Sequence, residues 1–223
     1  MAVNSEEYKK IEREIKEKNV TLVAVSKTKP VEDILELYKL GQRDFGENYV
    51  QELVEKQEQL PKDIRWHFIG HLQSKKTKQI APFISLIQSV DSERLLKEIN
   101  KQAAKNNRVI DCLLQVHIAK EETKFGLDEN ELNEIVQSNL KDYKNIFVKG
   151  LMGMASFTDD DTVIRNEFHS LKLLFHKYSV LQTNNFKLQI LSMGMSSDYK
   201  IAIEEGSNMV RIGSLLFGKR RKP

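Results

Sequence analysis

The run Thr21-Leu22-Val23-Ala24-Val25-Ser26-Lys27, followed by Thr28-Lys29-Pro30, decides how this chain is read. It is an apolar, strand-forming stretch that ends in a lysine. Lys27 is the first charge after five nearly unbroken strand-type residues, so its ammonium emerges where a buried strand reaches the end of a core. Such a position desolvates an amine and lowers its pKa, which a lysine needs in order to attack an aldehyde and form a Schiff base. A surface lysine just past a strand would look the same in isolation. The rest of the chain separates the two readings.

Outward from that stretch, strand-like runs recur at 21–26, 43–47, 64–70, 85–90, 110–118, 145–154, 187–194 and 209–217. Helical patterns lie between them. Residues 5–19 carry Tyr8, Ile11 and Ile15 on one face, and 31–40 carry Ile34, Leu35 and Tyr38. Ser92 is placed to cap a helix bearing Leu95, Leu96, Ile99 and Ala103, and Asp128 with Glu131 forms a capping-box pattern before Leu132, Ile135 and Val136. Ile164, Phe168, Leu171, Leu174, Phe175 and Tyr178 fall at helical spacing within 162–181. Strands that alternate with helices pair in parallel, because each crossover needs about a dozen residues or more. Eight such units predict an α/β fold, a closed (β/α)8 TIM barrel with an extra N-terminal helix. An open doubly wound sheet is the competing architecture. The barrel usually takes about 250 residues but ranges down to about 200, so residues 1–223 are expected to form one compact barrel domain.

The 35 basic and 32 acidic residues leave a formal charge of +3, too balanced to point to nucleic acid. The basic run Lys219-Arg220-Arg221-Lys222 sits at the terminus and reads as a solvated tail. One cysteine, Cys112, lies in an apolar run; a lone thiol makes no internal disulfide, and a reducing compartment suits it. The N-terminus lacks the apolar core of a signal peptide, and no stretch approaches the ~18 apolar residues of a membrane span. A soluble cytoplasmic protein is expected.

In a barrel of this kind, function gathers at the C-terminal ends of the strands. Besides Lys27, those ends carry Phe45-Gly46-Glu47-Asn48-Tyr49, Gly70-His71-Leu72-Gln73-Ser74-Lys75-Lys76, Met193-Gly194-Met195-Ser196-Ser197-Asp198 and Val210-Arg211-Ile212-Gly213-Ser214. The last two follow strands seven and eight, where barrels often bind phosphate. Ser196, Ser197 and Ser214 offer hydroxyls, and Gly213 lets a phosphate approach the backbone. A serine that caps a helix and a glycine in a tight turn would explain each piece separately. Arg211 lies in an apolar strand, where its charge is costly to bury alone. It either pairs with a carboxylate or faces a ligand.

Other candidates point elsewhere. His67 and His71 are separated by a strand, so helical metal spacing does not apply; His169 and His176 belong to a charged helix. Asp159-Asp160-Asp161 could attract a cation or lead into a helix cap. No zinc or magnesium pattern, P-loop or dinucleotide fingerprint is present.

Taken together, Ala24-Val25-Ser26-Lys27-Thr28-Lys29-Pro30, Phe45-Gly46-Glu47-Asn48-Tyr49, Trp66-His67-Phe68-Ile69-Gly70-His71-Leu72-Gln73-Ser74-Lys75-Lys76, Leu191-Ser192-Met193-Gly194-Met195-Ser196 with Asp198, and Arg211-Ile212-Gly213 with Phe217-Gly218 resemble the pyridoxal phosphate homeostasis protein family. The match runs through nearly the whole chain in order. The resemblance implies a single-domain barrel of the alanine racemase N-terminal type that binds pyridoxal 5'-phosphate (PLP). Carried over by position, Lys27 is the Schiff-base lysine, with Lys29, Lys75 and Lys124 as the alternatives. Ser196, Gly213 and Ser214 hold the phosphate, with Ser197 as a helper; Arg211 faces the pyridine nitrogen and Asn48 lies near the ring. Position 214 often carries threonine in the family, and Ser214 keeps the hydroxyl.

The implied role lies in vitamin B6 and amino-acid balance, with PLP-dependent apoenzymes as candidate recipients, a monomeric state, and no metal. Arginine against the ring nitrogen weakens the cofactor as an electron sink. Racemase-like enzymes add a second domain whose tyrosine is an opposite-face base, and this chain ends about five residues after strand eight. A carrier without fast turnover is therefore expected. A PLP-dependent amino-acid racemase is the alternative, and a phosphosugar barrel enzyme without PLP is a third reading that predicts a colourless protein.

Overall fold

In the computed structural model, residues 3–121 and 125–218 are described. Chain order is α1 (Ser5–Lys16), β1 (Thr21–Val25), α2 (Val31–Lys39), β2 (Asp44–Glu47), α3 (Val50–Gln59), β3 (Arg65–Phe68), α4 (Thr77–Ile80), β4 (Leu86–Val90), α5 (Glu93–Lys105), β5 (Ile110–Gln115), α6 (Glu129–Glu134), β6 (Ile146–Met152), α7 (Asp161–Ser179), β7 (Phe186–Ser192), α8 (Tyr199–Glu204), β8 (Met209–Ile212) and α9 (Ser214–Phe217). Each strand pairs in parallel with the next, and β8 returns to β1, which closes the barrel. The expected (β/α)8 architecture with an extra N-terminal helix is what forms, and the open sheet is not.

The strands sort their side chains by parity. Val23, Leu86, Leu113, Met152 and Met209 make a small apolar cluster inside the barrel. Their neighbours Leu22, Ala24, Ile87, Cys112, Leu114, Leu151, Val210 and Ile212 face outward into the larger core beneath the helices. The predicted helix faces bury as their spacing requires: Tyr8, Ile11 and Ile15 in α1, Leu95, Leu96, Ile99 and Ala103 in α5, and Ile164, Phe168, Leu171 and Tyr178 in α7. In α2 the buried residues are Ile34 and Leu37, with Leu35 and Tyr38 only partly covered, and in α7 Leu174 and Phe175 are likewise only partly covered. Ser92 accepts from Leu95 N–H at 3.3 Å, and Asp128 with Glu131 forms a complete capping box. The extra helix α1 joins the helical ring beside α9, where Asn4 N–H donates to the Leu216 carbonyl at 2.8 Å.

The run 209–217 does not continue as one strand. β8 stops at Ile212, the last residue in register with β1, opposite Ala24. Leu216 and Phe217 then bury from the short helix α9. A short apolar run is compatible with strand or helix alike, and the end of the neighbouring strand is what ends the pairing. Among the described residues, no helix is long and apolar enough to cross a membrane. The Lys219–Lys222 tail and Lys124 lie outside the described residues.

Candidate functional site

The pleat of β1 puts Val23 and Val25 on one side, and Lys27, in the turn two residues past the strand, lines the same cavity as Val25. Lys27 is thereby carried to the C-terminal mouth of the barrel, partly buried. The turn after it is tightly held. Thr28 adopts φ 62°, a left-handed conformation costly for a β-branched residue and tolerated only where surroundings enforce it. Thr28 N–H donates to Glu52 Oε1 at 2.6 Å, and Lys29 N–H donates to the Ser26 carbonyl at 3.1 Å. Beneath the turn, Lys56 Nζ from α3 donates to Ser26 O at 2.7 Å, Glu47 Oε1 at 2.7 Å and Glu52 Oε1 at 2.6 Å. Ser26 Oγ donates to the same Glu47 oxygen at 2.6 Å.

Glu47 is completely buried, and its Oε2 has no hydrogen-bond partner among the described residues. Burial pushes its pKa up to about 7, against the pull of Lys56 and Ser26. Sequence reading quoted Glu47 and Ser26 inside motifs without assigning them a task, and it passed over Lys56 and Glu52. A lysine and a glutamate at i and i−4 on a charged helix carry no signal of burial until a second carboxylate arrives from β2.

A cavity of about 430 Å³ opens at the barrel mouth. Lys27, Asn48, Ser196, Ser197, Arg211, Gly213 and Ser214 all line it, so the seven residues selected from the sequence converge on one space. Val25, Ile69, Met154, Phe157 and Met195 supply its apolar walls. Asn48 Oδ1 is buried and has no hydrogen-bond partner among the described residues. Ser196 Oγ accepts from Gly213 N–H at 3.2 Å and keeps its own O–H to donate. Ser197 and Ser214 are exposed.

Neither Ser196 nor Ser197 caps α8. The capping position is Asp198, whose carboxylate accepts instead from Met195 N–H at 2.6 Å and shapes the loop. That loop begins at Gly194, which has φ 92° and whose missing Cβ would lie 2.6 Å from the Ala202 Cβ. Gly213 has an ordinary φ of −123° and is not in a left-handed turn. A Cβ there would meet the Val25 carbonyl at 3.1 Å, so the glycine lets the end of β8 approach β1.

Arg211 is 4% exposed. Its Nη1 donates to Ser192 Oγ at 2.6 Å and its Nη2 to the Gly153 carbonyl at 2.9 Å. Both partners are uncharged, and the side chain borders the cavity. Burial draws its pKa down to about 10, with the nearby Asp198 carboxylate acting the other way. It therefore stays cationic at neutral pH.

Apart from Lys29, the remaining candidates stand away from the cavity. Asp160 caps α7, accepting from Thr162 and Val163 N–H. His169 faces Glu205 at 3.3 Å on the surface. No group of three or more His, Cys, Asp or Glu among the described residues is placed to hold a metal ion. Lys29 also lines the mouth cavity, but its Nζ is engaged by the Phe217 and Gly218 carbonyls at 2.7 and 3.2 Å; Lys75 borders a separate depression with His71 and Arg94.

A family profile described as alanine racemase, N-terminal domain, matches residues 5–221. The pyridoxal phosphate homeostasis protein of Aquifex aeolicus (strain VF5) is 42% identical over 201 residues, covering 90% of this chain and 87% of the relative. This chain belongs to the pyridoxal phosphate homeostasis protein family. The Homo sapiens member is 39% identical over 209 residues, covering 89% of this chain and 76% of its own length. Among solved structures, PipY of Synechococcus elongatus PCC7942, determined with PLP bound, superposes with a TM-score of 0.82 at 35% identity, covering 90% of this chain and 93% of PipY. Alanine racemase from Bartonella henselae shares the fold, with a TM-score of 0.74 at 17% identity over 97% of this chain and 60% of the racemase.

Proposed function

We propose that this chain binds PLP in the cavity at the barrel mouth, holds it as a Schiff base on Lys27, and acts in vitamin B6 and amino-acid homeostasis as a carrier without fast turnover. The observation that carries the reading is the convergence of Lys27, one buried guanidinium, an amide oxygen with no hydrogen-bond partner among the described residues, and three hydroxyls on a single cavity. Relatives named for PLP homeostasis, and PipY solved with PLP bound, support it.

The donor set fits the group. Hydroxyls of Ser196, Ser197 and Ser214 suit a phosphate dianion, since charge-assisted hydrogen bonds are the strong ones. Asn48 Oδ1 has no hydrogen-bond partner among the described residues, and a ligand could supply one. PLP, when bound, supplies an electron sink for carbanion chemistry. Arg211 would moderate that sink: a guanidinium only donates, so a ring nitrogen set against it would have to accept, unprotonated. PLP-dependent apoenzymes are the recipients in this reading. The chain acts as a single-domain monomer in the cytoplasm, where its one thiol, Cys112, is buried and has its pKa raised by that burial.

Borohydride reduction of the PLP-loaded protein, followed by peptide mapping, tests the attachment. The expected adduct is on Lys27, and Lys27→Ala should yield none. An adduct on Lys29, Lys75 or Lys124 would move the attachment point and overturn the reading.

A further inference from the structure

A hydrogen-bonded chain crosses the barrel interior from the mouth towards the base. Arg211 Nη1 on β8 donates to Ser192 Oγ on β7 at 2.6 Å, and the Ser192 hydroxyl donates to Gln88 Oε1 on β4 at 2.7 Å. Gln88 Nε2 lies 2.9 Å from His67 Nδ1 on β3, and His67 Nε2 lies 3.0 Å from Asp44 Oδ1 on β2. Arg65 closes the far end with bonds of 2.8 and 2.5 Å to the two Asp44 oxygens. Ser192 and Gln88 are wholly buried, and His67 is 4% exposed. Barrel interiors of this type are filled chiefly by branched apolar side chains, and an unpaired polar group there is costly. A continuous polar line through such a core calls for a function.

With a neutral His67 ring, one sense of donation satisfies every member. Asp44 is held ionised: burial opposes the charge, but the bonds from His67 and Arg65 outweigh it and bring the pKa down to about 2. A carboxylate only accepts, so His67 carries a proton on Nε2. Nδ1 then accepts from the Gln88 amide, whose Nε2 also lies 3.3 Å from the weak acceptor Met209 Sδ. Gln88 Oε1 is thereby turned to Ser192, takes its hydroxyl proton, and leaves the serine oxygen free to accept from Arg211. Turning the amide over would set two donors against Ser192 Oγ and an oxygen against both His67 Nδ1 and the Met209 sulfur. Donors aligned from one end to the other polarise one another in a core of low dielectric. Gly153 O holds the second arm of the guanidinium, so its plane is fixed before any ligand arrives.

We propose that Gln88, oriented by His67, is a positioning residue for Arg211 and sets the hydrogen-bonding face that the site presents to the pyridine nitrogen. The inference rests on the placement of that nitrogen against Arg211 proposed above. Two measurements test it. In the ligand-free, 15N-labelled protein, the His67 ring should be protonated on Nε2 and bare on Nδ1. With ring-15N PLP, Gln88→Met should move the pyridine nitrogen resonance away from the wild-type position and weaken PLP binding about two- to tenfold, the range expected for one lost hydrogen bond. Ser192→Ala cuts the same chain at a smaller side chain and should move the resonance likewise, whereas Ser192→Thr keeps the hydroxyl and should restore it. A His67 ring protonated on Nδ1, or a wild-type resonance in both Gln88→Met and Ser192→Ala, would overturn the proposal. Arg211→Met separates the two levels. If it leaves the resonance unmoved, the nitrogen does not face Arg211 and the underlying reading fails. If it moves the resonance while the Gln88 and Ser192 variants do not, this inference alone fails.

Discussion

Lys56 Nζ donates at 2.7 Å to the carbonyl oxygen of Ser26, the residue immediately before Lys27. A buried ammonium on α3 thus grips the backbone at the end of β1 while it pairs with Glu47 and Glu52. Removing it strands a carboxylate with no exposed side-chain surface. Lys56→Met should therefore cost about 3–5 kcal/mol, as breaking a buried pair generally does. Lys56→Met combined with Glu47→Leu should recover much of the loss, because no buried charge of that pair then lacks a counterion. Urea denaturation of both variants at about pH 8, above the pKa of about 7 at which Glu47 ionises in the folded chain, measures this. A Lys56→Met cost within the roughly 0.5 kcal/mol of an ordinary surface change would refute it.

Stability should also depend on pH through Glu47. Its folded pKa of about 7 lies above the ordinary 4.5, so between those values the folded chain binds a proton that the unfolded chain does not. The stability this group contributes is complete below 4.5 and is lost as pH rises through about 7. A shift of this size corresponds to roughly 3 kcal/mol. Glu47→Gln should flatten that part of the stability curve, compared by denaturation at about pH 5 and about pH 8. An unchanged slope in the variant would assign the pH dependence to another group.

The hydroxyl of Ser196, anchored by Gly213 N–H, should favour PLP over pyridoxal. Losing one hydrogen bond to a charged group costs about 1.5–3 kcal/mol, roughly tenfold to a hundredfold in affinity. Titration of PLP and pyridoxal against wild type and Ser196→Ala gives the comparison. Equal affinity of the wild type for both forms would place the phosphate elsewhere.

Arg211 should also limit turnover. If Arg211 keeps the ring nitrogen unprotonated as proposed, α-proton exchange of L-alanine in deuterated water should stay near the uncatalysed background. Exchange at ordinary enzymatic rates, ~1 per second or faster, would promote the racemase alternative.

The barrel was legible because its signals are local and repeated. Strand runs alternate with amphipathic helices, and caps such as Ser92 and Asp128 mark helix starts in a few residues. That Lys27 and Arg211 gather at the barrel mouth was legible too, since one follows the end of β1 and the other lies in β8 on the parity that faces inward. The end of β8 was not, because Leu215, Leu216 and Phe217 suit a strand or a helix equally.

By itself, the sequence determined the alternation of elements, the closed fold it implies, and the set of side chains gathered at the mouth. Only the tertiary structure decided how those side chains are held. The buried Lys56–Glu47 pair joins β2 to α3, and the line from Arg211 through Ser192, Gln88 and His67 to Asp44 joins five strands. Their members lie up to 104 residues apart in a single hydrogen bond, as between Gln88 and Ser192. Periodicity reports which face of an element a residue occupies. It carries no information about which distant polar group that face will meet, because barrel closure, not local propensity, sets that distance.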